Sequence, residues 1–259
     1  MNTQPSLYWK LNDHFVMAGR CIRHLTRNLD NLLIVIILPV MMMLLFATVF
    51  GGAIRIDGDG NYVNYIVPGI LLICIGYSAS TTAVSVNTDL SQGIVDRFRS
   101  MPIAKSAFIT GYVIASVFRN IVSTIVLILA AFVLGFTPKA SLAEWLVIAL
   151  ILLLYAVAMT YLSTIFGLLA KTPEGAGAFG FVMLFLPYLS SAFVPLDTLP
   201  TALRIFAEHQ PITILVEALR SLLASTSTSH MAGAILWCLG IVVVSAYIAG
   251  QLFKHKTSS

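Results

Sequence analysis

The sequence predicts an all-α polytopic membrane protein with six transmembrane helices. Of its 259 residues, 58% are hydrophobic and only 10% are charged, whereas an average soluble domain is about 25% charged. The apolar residues occur in long blocks that reach the ~20 residues a helix needs to span a bilayer. Strands of an outer-membrane barrel would instead give ~10-residue segments of alternating polarity. The composition therefore excludes a soluble globule and a disordered chain.

Six apolar blocks define the predicted spans. They cover residues 32–50, 66–86, 107–134, 142–170, 175–194 and 231–253. Only two blocks contain a charged residue, Arg119 in the third and Glu144 near the start of the fourth. A transmembrane domain is therefore expected over residues 32–256.

The Lys and Arg residues set the predicted orientation, because cytoplasmic loops of membrane proteins carry an excess of both. The two termini and the loops after spans two and four hold ten of them, against four in the opposite loops. Both termini are therefore expected in the cytoplasm. The formal net charge of +4 follows from this asymmetry and gives no reason to expect a nucleic-acid partner.

Residues 1–31 predict a cytoplasmic amphipathic helix that lies in the membrane interface. Its apolar residues recur at steps of three and four, at Leu7, Leu11, Phe15, Ala18, Ile22, Leu25 and Leu29. Arg20, Arg23 and Arg27 lie mostly on the other face, where they would meet anionic lipid headgroups. A small soluble helix packed on a partner is the alternative. The first span follows almost immediately, which favours the interfacial helix.

The loop of residues 87–106 predicts a short amphipathic helix on the cytoplasmic side. Ser91 is a suitable N-terminal cap, and Pro102 would end the helix. Its apolar side would consist of Ile94, Val95 and Phe98, and its charged side of Asp96, Arg97 and Arg99. Such a helix can dock on a partner. Periodicity alone equally allows a solvated connector.

The connection between spans five and six, residues 195–230, is long but not polar. Three prolines interrupt it, and an apolar stripe follows at Ile212, Leu215, Val216, Leu219, Leu222 and Leu223. Glu217 and Arg220 are spaced to pair on the other side of this stripe. Re-entrant half-helices in the outer leaflet would satisfy their backbone hydrogen bonds while covered by protein. A small external cap is the alternative.

Motifs for nucleotide binding and catalysis are missing or out of context. Gly175, Gly177 and Gly180 spell G-x-G-x-x-G, but they open an apolar block and follow no strand. Close helix packing explains these glycines better than dinucleotide binding does. The sequence contains no Gly-Lys pair and hence no P-loop. We therefore expect that this chain is not an enzyme and that it holds no cofactor or metal site.

Polar residues within the spans are candidates for a translocation path or for stabilising the spans. Arg119, which precedes Asn120, is the one charge well inside a span and is a functional candidate by default. Its predicted depth, about one turn below the cytoplasmic surface, also allows a side chain that snorkels to the interface. Tyr77, Ser80 and Tyr161 could line the same path or join helices by hydrogen bonds.

Three segments carry a family resemblance. The first is the loop D-L-S-Q-G-I-V-D-R-F-R-S-M-P-I-A-K-S at residues 89–106, with Gly93, Asp96, Arg97, Phe98, Arg99, Ser100 and Pro102 in matching places. The second combines Gly111, Arg119-Asn120 and Gly135-Phe136-Thr137-Pro138. The third runs from Ser190-Ser191-Ala192-Phe193-Val194-Pro195 through Leu199-Pro200 and Pro211-Ile212-Thr213 to Glu217-Ala218-Leu219-Arg220. Together they resemble the membrane subunit of type-2 ABC exporters, the permease family that includes the daunorubicin and doxorubicin exporters.

The resemblance implies a permease that works as a homodimer or heterodimer in a bacterial plasma membrane, with two separate ATPase subunits that hold the ATP and Mg²⁺. The coupling helix of the first cytoplasmic loop would insert into the ATPase. It would use Gly93, Ile94, Val95, Asp96, Arg97, Phe98, Arg99, Ser100, Met101 and Pro102. The expected cargo is an amphipathic drug-like or lipid-like molecule. Tyr112 and Ser116 stand where the drug-exporter subgroup tends to carry Arg and Asp.

Two alternatives to this function remain open. One is the branch of the same family that exports polysaccharides or glycolipids. The other, from a different class, is an ATP-independent secondary transporter or an intramembrane enzyme. That class would need paired intramembrane acids, histidine motifs or an inverted internal repeat, none of which we find in the sequence.

Overall fold

The computed structural model describes residues 19, 23, 29–51, 61–93, 105–194, 196, 200–226 and 230–258. Regular structure in these ranges is entirely helical, which confirms the predicted all-α class for them. The α-helices are α1 (Leu29–Leu45), α2 (Tyr62–Ser91), α3 (Lys105–Val133), α4 (Leu142–Leu169), α5 (Pro173–Phe185), α6 (Thr201–His209), α7 (Pro211–Leu223) and α8 (Met231–Ser258).

Five helices of the described chain are long and apolar enough to cross a membrane. They are α1 with a π-helical continuation over Phe46–Phe50, α2, α3, α4 and α8, and they coincide with five of the predicted spans. The segment predicted as the fifth span, residues 175–194, differs. Its α-helix ends at Phe185 and continues as a 3₁₀ turn over Leu186–Leu189. Pro187 has no backbone N–H for the next α-helical hydrogen bond, which accounts for the change.

Helix α2 is the centre of the fold, since α1, α3, α4, α5 and α7 all pack against it. Small residues allow these close contacts. A Cβ atom added at Gly69 of α2 would lie 2.5 Å from the Cβ of Ala192. One added at Gly167 of α4 would lie 2.5 Å from the carbonyl oxygen of Ala83. Backbones therefore approach within a distance that only glycine permits, as in other tightly packed membrane helices.

Polar caps fix where three of these helices begin. The side chain of Asn61 accepts a hydrogen bond from the backbone N–H of Val63 at the start of α2. Ser141 and Glu144 form a reciprocal capping box at the start of α4, and Thr172 caps α5. These side chains satisfy N–H groups that a helix leaves unpaired in its first turn.

The connection between α5 and α8 contains two short helices, α6 and α7, which meet at Gln210. All six residues of the predicted apolar stripe on α7 are buried. The predicted pair on its other side is confirmed, because Arg220 Nη1 lies 2.8 Å from Glu217 Oε1.

Two predicted elements fall outside the described residues. These are the interfacial helix of residues 1–31, apart from residues 19, 23 and 29–31, and the coupling segment of residues 94–104. Ser91 is the last residue of α2, and its hydroxyl donates to the carbonyl oxygen of Thr88. The prediction that it caps a following helix is therefore wrong.

Candidate functional site

A buried polar cluster joins the middle of α2, α3 and α4; we call it the polar core. It consists of Ser78, Thr82, Ser116, Arg119, Asn120 and Thr160. Ser78 and Thr82 are four residues apart and therefore share one face of α2. Arg119 donates from Nε to Ser78 Oγ at 2.9 Å, and from Nη2 to Ser78 O at 3.0 Å and Thr82 Oγ1 at 2.9 Å. The guanidinium of Arg119, on α3, thus binds one turn of α2 through three hydrogen bonds.

Arg119 is buried, with 8% of its surface exposed. Its guanidinium is enclosed between α2 and α3, whereas the snorkelling interpretation required an exposed one. Among the described residues with buried side chains, it is the one that carries a formal charge. The oxygens that accept its hydrogen bonds belong to hydroxyl and carbonyl groups. Such partners solvate a cation in a low-dielectric interior without neutralising its charge.

Ser116 connects the polar core to α4. Its Oγ atom lies 2.8 Å from Thr160 Oγ1 and accepts a hydrogen bond from Asn120 Nδ2 at 3.4 Å. Two neighbouring atoms are left without a hydrogen-bond partner among the described residues, Asn120 Oδ1 and Ser123 Oγ, and both are buried. An unpaired buried polar atom is costly. Asn120 Oδ1 is such an atom within the polar core, and Ser123 Oγ is another, three residues further along α3.

Tyr77 and Ser80 lie on a different face of α2, against α5. A Cβ atom added at Gly180 would lie 2.9 Å from Ser80 Oγ and 3.5 Å from Tyr77 Cδ2. Gly180 is the last glycine of the G-x-G-x-x-G pattern. Its contacts with α2 agree with the interpretation that these glycines allow close helix packing. The hydroxyl of Ser80 donates to the carbonyl oxygen of Tyr77 at 2.7 Å.

Tyr161 lies apart from both groups. It packs against an apolar cluster that is built from α2, α3, α4 and α8 around Phe108, Tyr112 and Phe253. The five candidate path residues therefore occupy three separate places. Arg119 and Asn120 lie in the polar core, Tyr77 and Ser80 lie where α2 packs against α5, and Tyr161 lies in neither place.

The ends of α2 and α3 that border residues 94–104 are tied to the bundle. Asn87 Nδ2 donates to the carbonyl oxygens of Gly167 at 3.0 Å and Ala170 at 2.7 Å, at the end of α4. Tyr112 Oη donates to Asp89 Oδ2 at 2.5 Å, which links α3 to α2. Gly93 has a φ of +67°, a left-handed conformation that glycine adopts without strain and that turns the chain away after α2.

A second polar joint lies at the opposite end of α2, where α7 meets it. The guanidinium carbon of Arg220 stands 3.7 Å from the centre of the Tyr65 ring. Arg220 Nη2 donates to the carbonyl oxygens of Ser191 at 2.8 Å and Tyr65 at 3.2 Å. Tyr65 Oη donates to the same Ser191 oxygen at 3.1 Å. One arginine therefore fixes α7 to α2 and to the segment after α5.

Sequence reasoning missed Ser116 and the Asp89–Tyr112 link. In the family pattern Ser116 is only a departure from Asp, yet its hydroxyl joins α3 to Thr160 of α4 and contacts Arg119. A usable signal was present, because Ser78/Thr82, Ser116/Asn120 and Thr160/Thr164 are all polar pairs spaced by four residues on neighbouring spans. Three such pairs at similar depth predict a shared polar layer.

Comparison with known proteins identifies a family whose model matches this chain. A family model described as ABC-2 type transporter matches residues 13–224, which is most of the chain. The chain is also similar to the Daunorubicin resistance ABC transporter permease protein DrrB1 of Streptomyces coeruleorubidus. The two are 25% identical over 248 residues, which cover 95% of this chain and 86% of that protein.

Two further relatives have related names. The Probable doxorubicin resistance ABC transporter permease protein DrrC of Mycobacterium tuberculosis is 24% identical over 235 residues, which cover 89% of this chain and 84% of that protein. The Inner membrane transport permease YadH of Escherichia coli is 29% identical over 188 residues, which cover 70% and 72% of the two chains. All three relatives are named as permeases, and the similarity to the first two runs through nearly the whole chain.

Proposed function

This chain belongs to the ABC-2 type transporter family, and we propose that it exports an amphipathic drug-like or lipid-like molecule as the permease subunit of an ABC transporter. The similarity to two drug-resistance permeases over 95% and 89% of the chain carries this proposal. The composition agrees with it, because the apolar helices provide a membrane domain and the sequence contains no P-loop. ATP with Mg²⁺ would bind to a separate subunit.

The ATPase would dock on the loop of residues 87–106. In this proposal Ile94, Val95 and Phe98 supply apolar contacts, and the charged residues of the loop, Asp96, Arg97 and Arg99, orient the partner. Asn87 and the Asp89–Tyr112 link support a mechanical role for the loop, because they tie the end of α2, where the loop begins, to α4 and to α3. A displacement of the loop would therefore move three spans together.

The membrane domain would span residues 32–256 and cross the bilayer six times. Helix α5 with its 3₁₀ turn supplies the sixth crossing, since 13 α-helical and four 3₁₀ residues reach about 28 Å of the ~30 Å core. Helices α6 and α7 would be the outer half-helices, and residues 1–31 would form an interfacial helix. Both termini would lie in the cytoplasm of a bacterium, in agreement with the distribution of Lys and Arg.

Two copies of this permease, or this chain with a related one, would form the complete pathway with two ATPases. Large apolar side chains exposed on α1 and α5, such as Ile37, Met41 and Phe181, provide a surface that a second membrane subunit could cover. We assign Arg119 and Asn120 to span stabilisation rather than to a continuous path. Arg119 donates to Ser78 and Thr82 of α2, and Asn120 donates to Ser116, which itself contacts Thr160 of α4.

Affinity purification of the tagged chain from its own cells tests this function directly. The proposal predicts that an ATPase subunit is recovered in a stoichiometric amount. It further predicts that inside-out vesicles accumulate daunorubicin, used as the probe, only when ATP is supplied. Uptake that follows an ion gradient without ATP, or a chain recovered without any ATPase, would instead support a secondary transporter.

A further inference from the structure

The short connection between α4 and α5, residues 170–174, lies beside the end of α2; we call it the α4–α5 turn. That end of α2 leads into the loop of residues 87–106, which we call the docking loop. Asn87 joins the two, because its Nδ2 atom donates to the carbonyl oxygen of Ala170 at 2.7 Å. Lys171 follows directly and is exposed. The α4–α5 turn is therefore an accessible surface at the base of the docking loop.

Hydrogen bonds fix the α4–α5 turn on both sides. The backbone N–H of Ala170 donates to the carbonyl oxygen of Phe166 at 2.9 Å, at the end of α4. The side chain of Thr172 accepts a hydrogen bond from the backbone N–H of Gly175 at 3.1 Å. Pro173 is the first residue of α5, and its ring restricts the backbone further. The turn thus holds a defined shape, which a docking surface needs.

The exposed charges at this end of the bundle are mostly positive. Lys171 follows α4 and Glu174 lies in the first turn of α5, and at these places each charge also stabilises its helix end. Phe253 of α8 and Leu168 of α4 belong to one apolar cluster. The last turn of α8, with the exposed Lys256, is therefore at the same end. A partner that matches this surface would carry acidic groups.

The docking loop alone is too small to hold a protein partner stably. A specific protein–protein interface takes about 20–30 residues from each side. The part of the loop between the described ends of α2 and α3, residues 94–104, has 11 residues, and a docked helix presents only one of its faces. An ATPase bound to this loop must therefore touch further surface of the permease. The α4–α5 turn is the described surface that is bonded directly to the base of the loop.

We propose that the α4–α5 turn is a second contact site for the ATPase, in which Lys171 faces an acidic patch of that subunit. This inference rests on the proposed function, which places this end of the bundle in the cytoplasm next to a separate ATPase. The contact reaches α5, whose Gly177 and Gly180 pack against Val84 and Ser80 of α2. The ATPase thereby acts on α4 and α5 directly, in addition to α2 and α3.

Site-specific photocrosslinking of the full-length chain in its own cells tests this contact. The photoreactive residue p-benzoylphenylalanine is placed at Lys171, at Phe98 in the docking loop, or at Lys139. The last of these is the control, because it is exposed on the connection between α3 and α4 at the opposite end of the bundle. Mass spectrometry identifies the captured protein as an ATPase by its P-loop sequence. We expect ATPase crosslinks from Lys171 and Phe98 and none from Lys139.

The pattern of crosslinks separates this inference from the proposed function. An ATPase crosslink from Phe98 without one from Lys171 would overturn the second contact and leave the proposed function intact. The absence of an ATPase crosslink from both positions would contradict the proposed function, and with it the inference. A crosslink from Lys171 to lipid alone would show that the turn faces anionic headgroups, which would also overturn the second contact.

Reversal of the charge measures how much the contact contributes to binding. Lys171→Glu should lower the amount of ATPase recovered with the purified chain about three- to tenfold at low ionic strength, because it places like charges opposite each other. Lys171→Gln, which only removes the charge, should give an intermediate recovery. Lys139→Glu is the matched control and should recover as much ATPase as the parent chain. Equal recovery with Lys171→Glu and Lys139→Glu would overturn the proposal.

Discussion

The phenol of Tyr112 donates a hydrogen bond of 2.5 Å to the carboxylate of Asp89. These residues lie in α3 and α2, on either side of the predicted coupling segment, so the bond closes the base of that loop. Asn87 ties the same end of α2 to the end of α4. In the proposed mechanism, a displacement of the loop would therefore be directed into α2, α3 and α4.

Tyr112→Phe is expected to uncouple transport from ATP hydrolysis. The substitution keeps the ring and removes a hydrogen bond to a charged group, a class of interaction that contributes about 1.5–3 kcal/mol. Export of daunorubicin per ATP hydrolysed should fall about two- to tenfold, because part of the free energy of this hydrogen bond holds the end of α2 against α3. Tyr247→Phe, at an exposed position on α8, is the matched control. Equal transport per ATP in both variants would show that the bond plays no part in coupling.

Arg119→Lys is expected to destabilise the membrane domain. A single ammonium group cannot reproduce the fork with which Arg119 reaches Ser78 and Thr82. The loss of one or two buried hydrogen bonds should cost about 1–3 kcal/mol of unfolding free energy. Thermal unfolding in detergent micelles measures the effect. Arg204→Lys on the exposed face of α6 is the matched control, and it should change the free energy of unfolding by less than about 0.5 kcal/mol. Similar losses in the two variants would contradict a stabilising role of the polar core.

Gly167→Ala should separate α4 from α2. The added Cβ would lie 2.5 Å from the carbonyl oxygen of Ala83, and backbone atoms cannot move aside as the end of a side chain can. We expect a loss of about 1–3 kcal/mol of stability, which is typical of overpacking. Gly240→Ala in α8 is the control, because nothing lies within 4 Å of its added Cβ. A thermal unfolding temperature that falls only for Gly167→Ala agrees with the packing; an equal fall for Gly240→Ala does not.

Two substitutions at Tyr65 separate the contributions to the polar joint between α7 and α2. Tyr65→Phe removes the hydrogen bond to Ser191 and keeps the ring beneath Arg220. Its cost should be about 0.5–1.5 kcal/mol. Tyr65→Leu also removes the cation–π contact and should cost a further ~1 kcal/mol. Thermal unfolding of the two variants checks this order, and equal stabilities would show that the cation–π contact adds nothing.

The long helices could be predicted from sequence because an uninterrupted apolar block leaves the chain few alternatives in a bilayer. Local changes of hydrogen bonding could not be predicted, since the π-helical turn at Phe46–Phe50 and the 3₁₀ turn at Leu186–Leu189 leave the apolar pattern unchanged. Pro187 marks the second of these in the sequence, but a proline alone does not distinguish a kink from a helix end.

The candidate site was predicted only in part for a related reason. Arg119 could be recognised as unusual because a charge inside a span is costly. Its direction depends on the rotation of α3 against α2, which spacing within one helix does not determine. The sequence therefore allowed both a snorkelling side chain and a buried one. The contacts with Ser78 and Thr82 decide for the buried one.

We propose that this permease is driven by a separate ATPase that docks on residues 87–106. The most direct test measures daunorubicin-stimulated ATP hydrolysis by the purified complex, with Phe98→Ala and Arg97→Ala in the loop and Phe206→Ala, an exposed position on α6, as the control. Both loop variants should lose the stimulated activity while their thermal unfolding temperatures stay unchanged, and Phe206→Ala should retain it. Full stimulated activity in both loop variants would contradict docking of the ATPase on this loop.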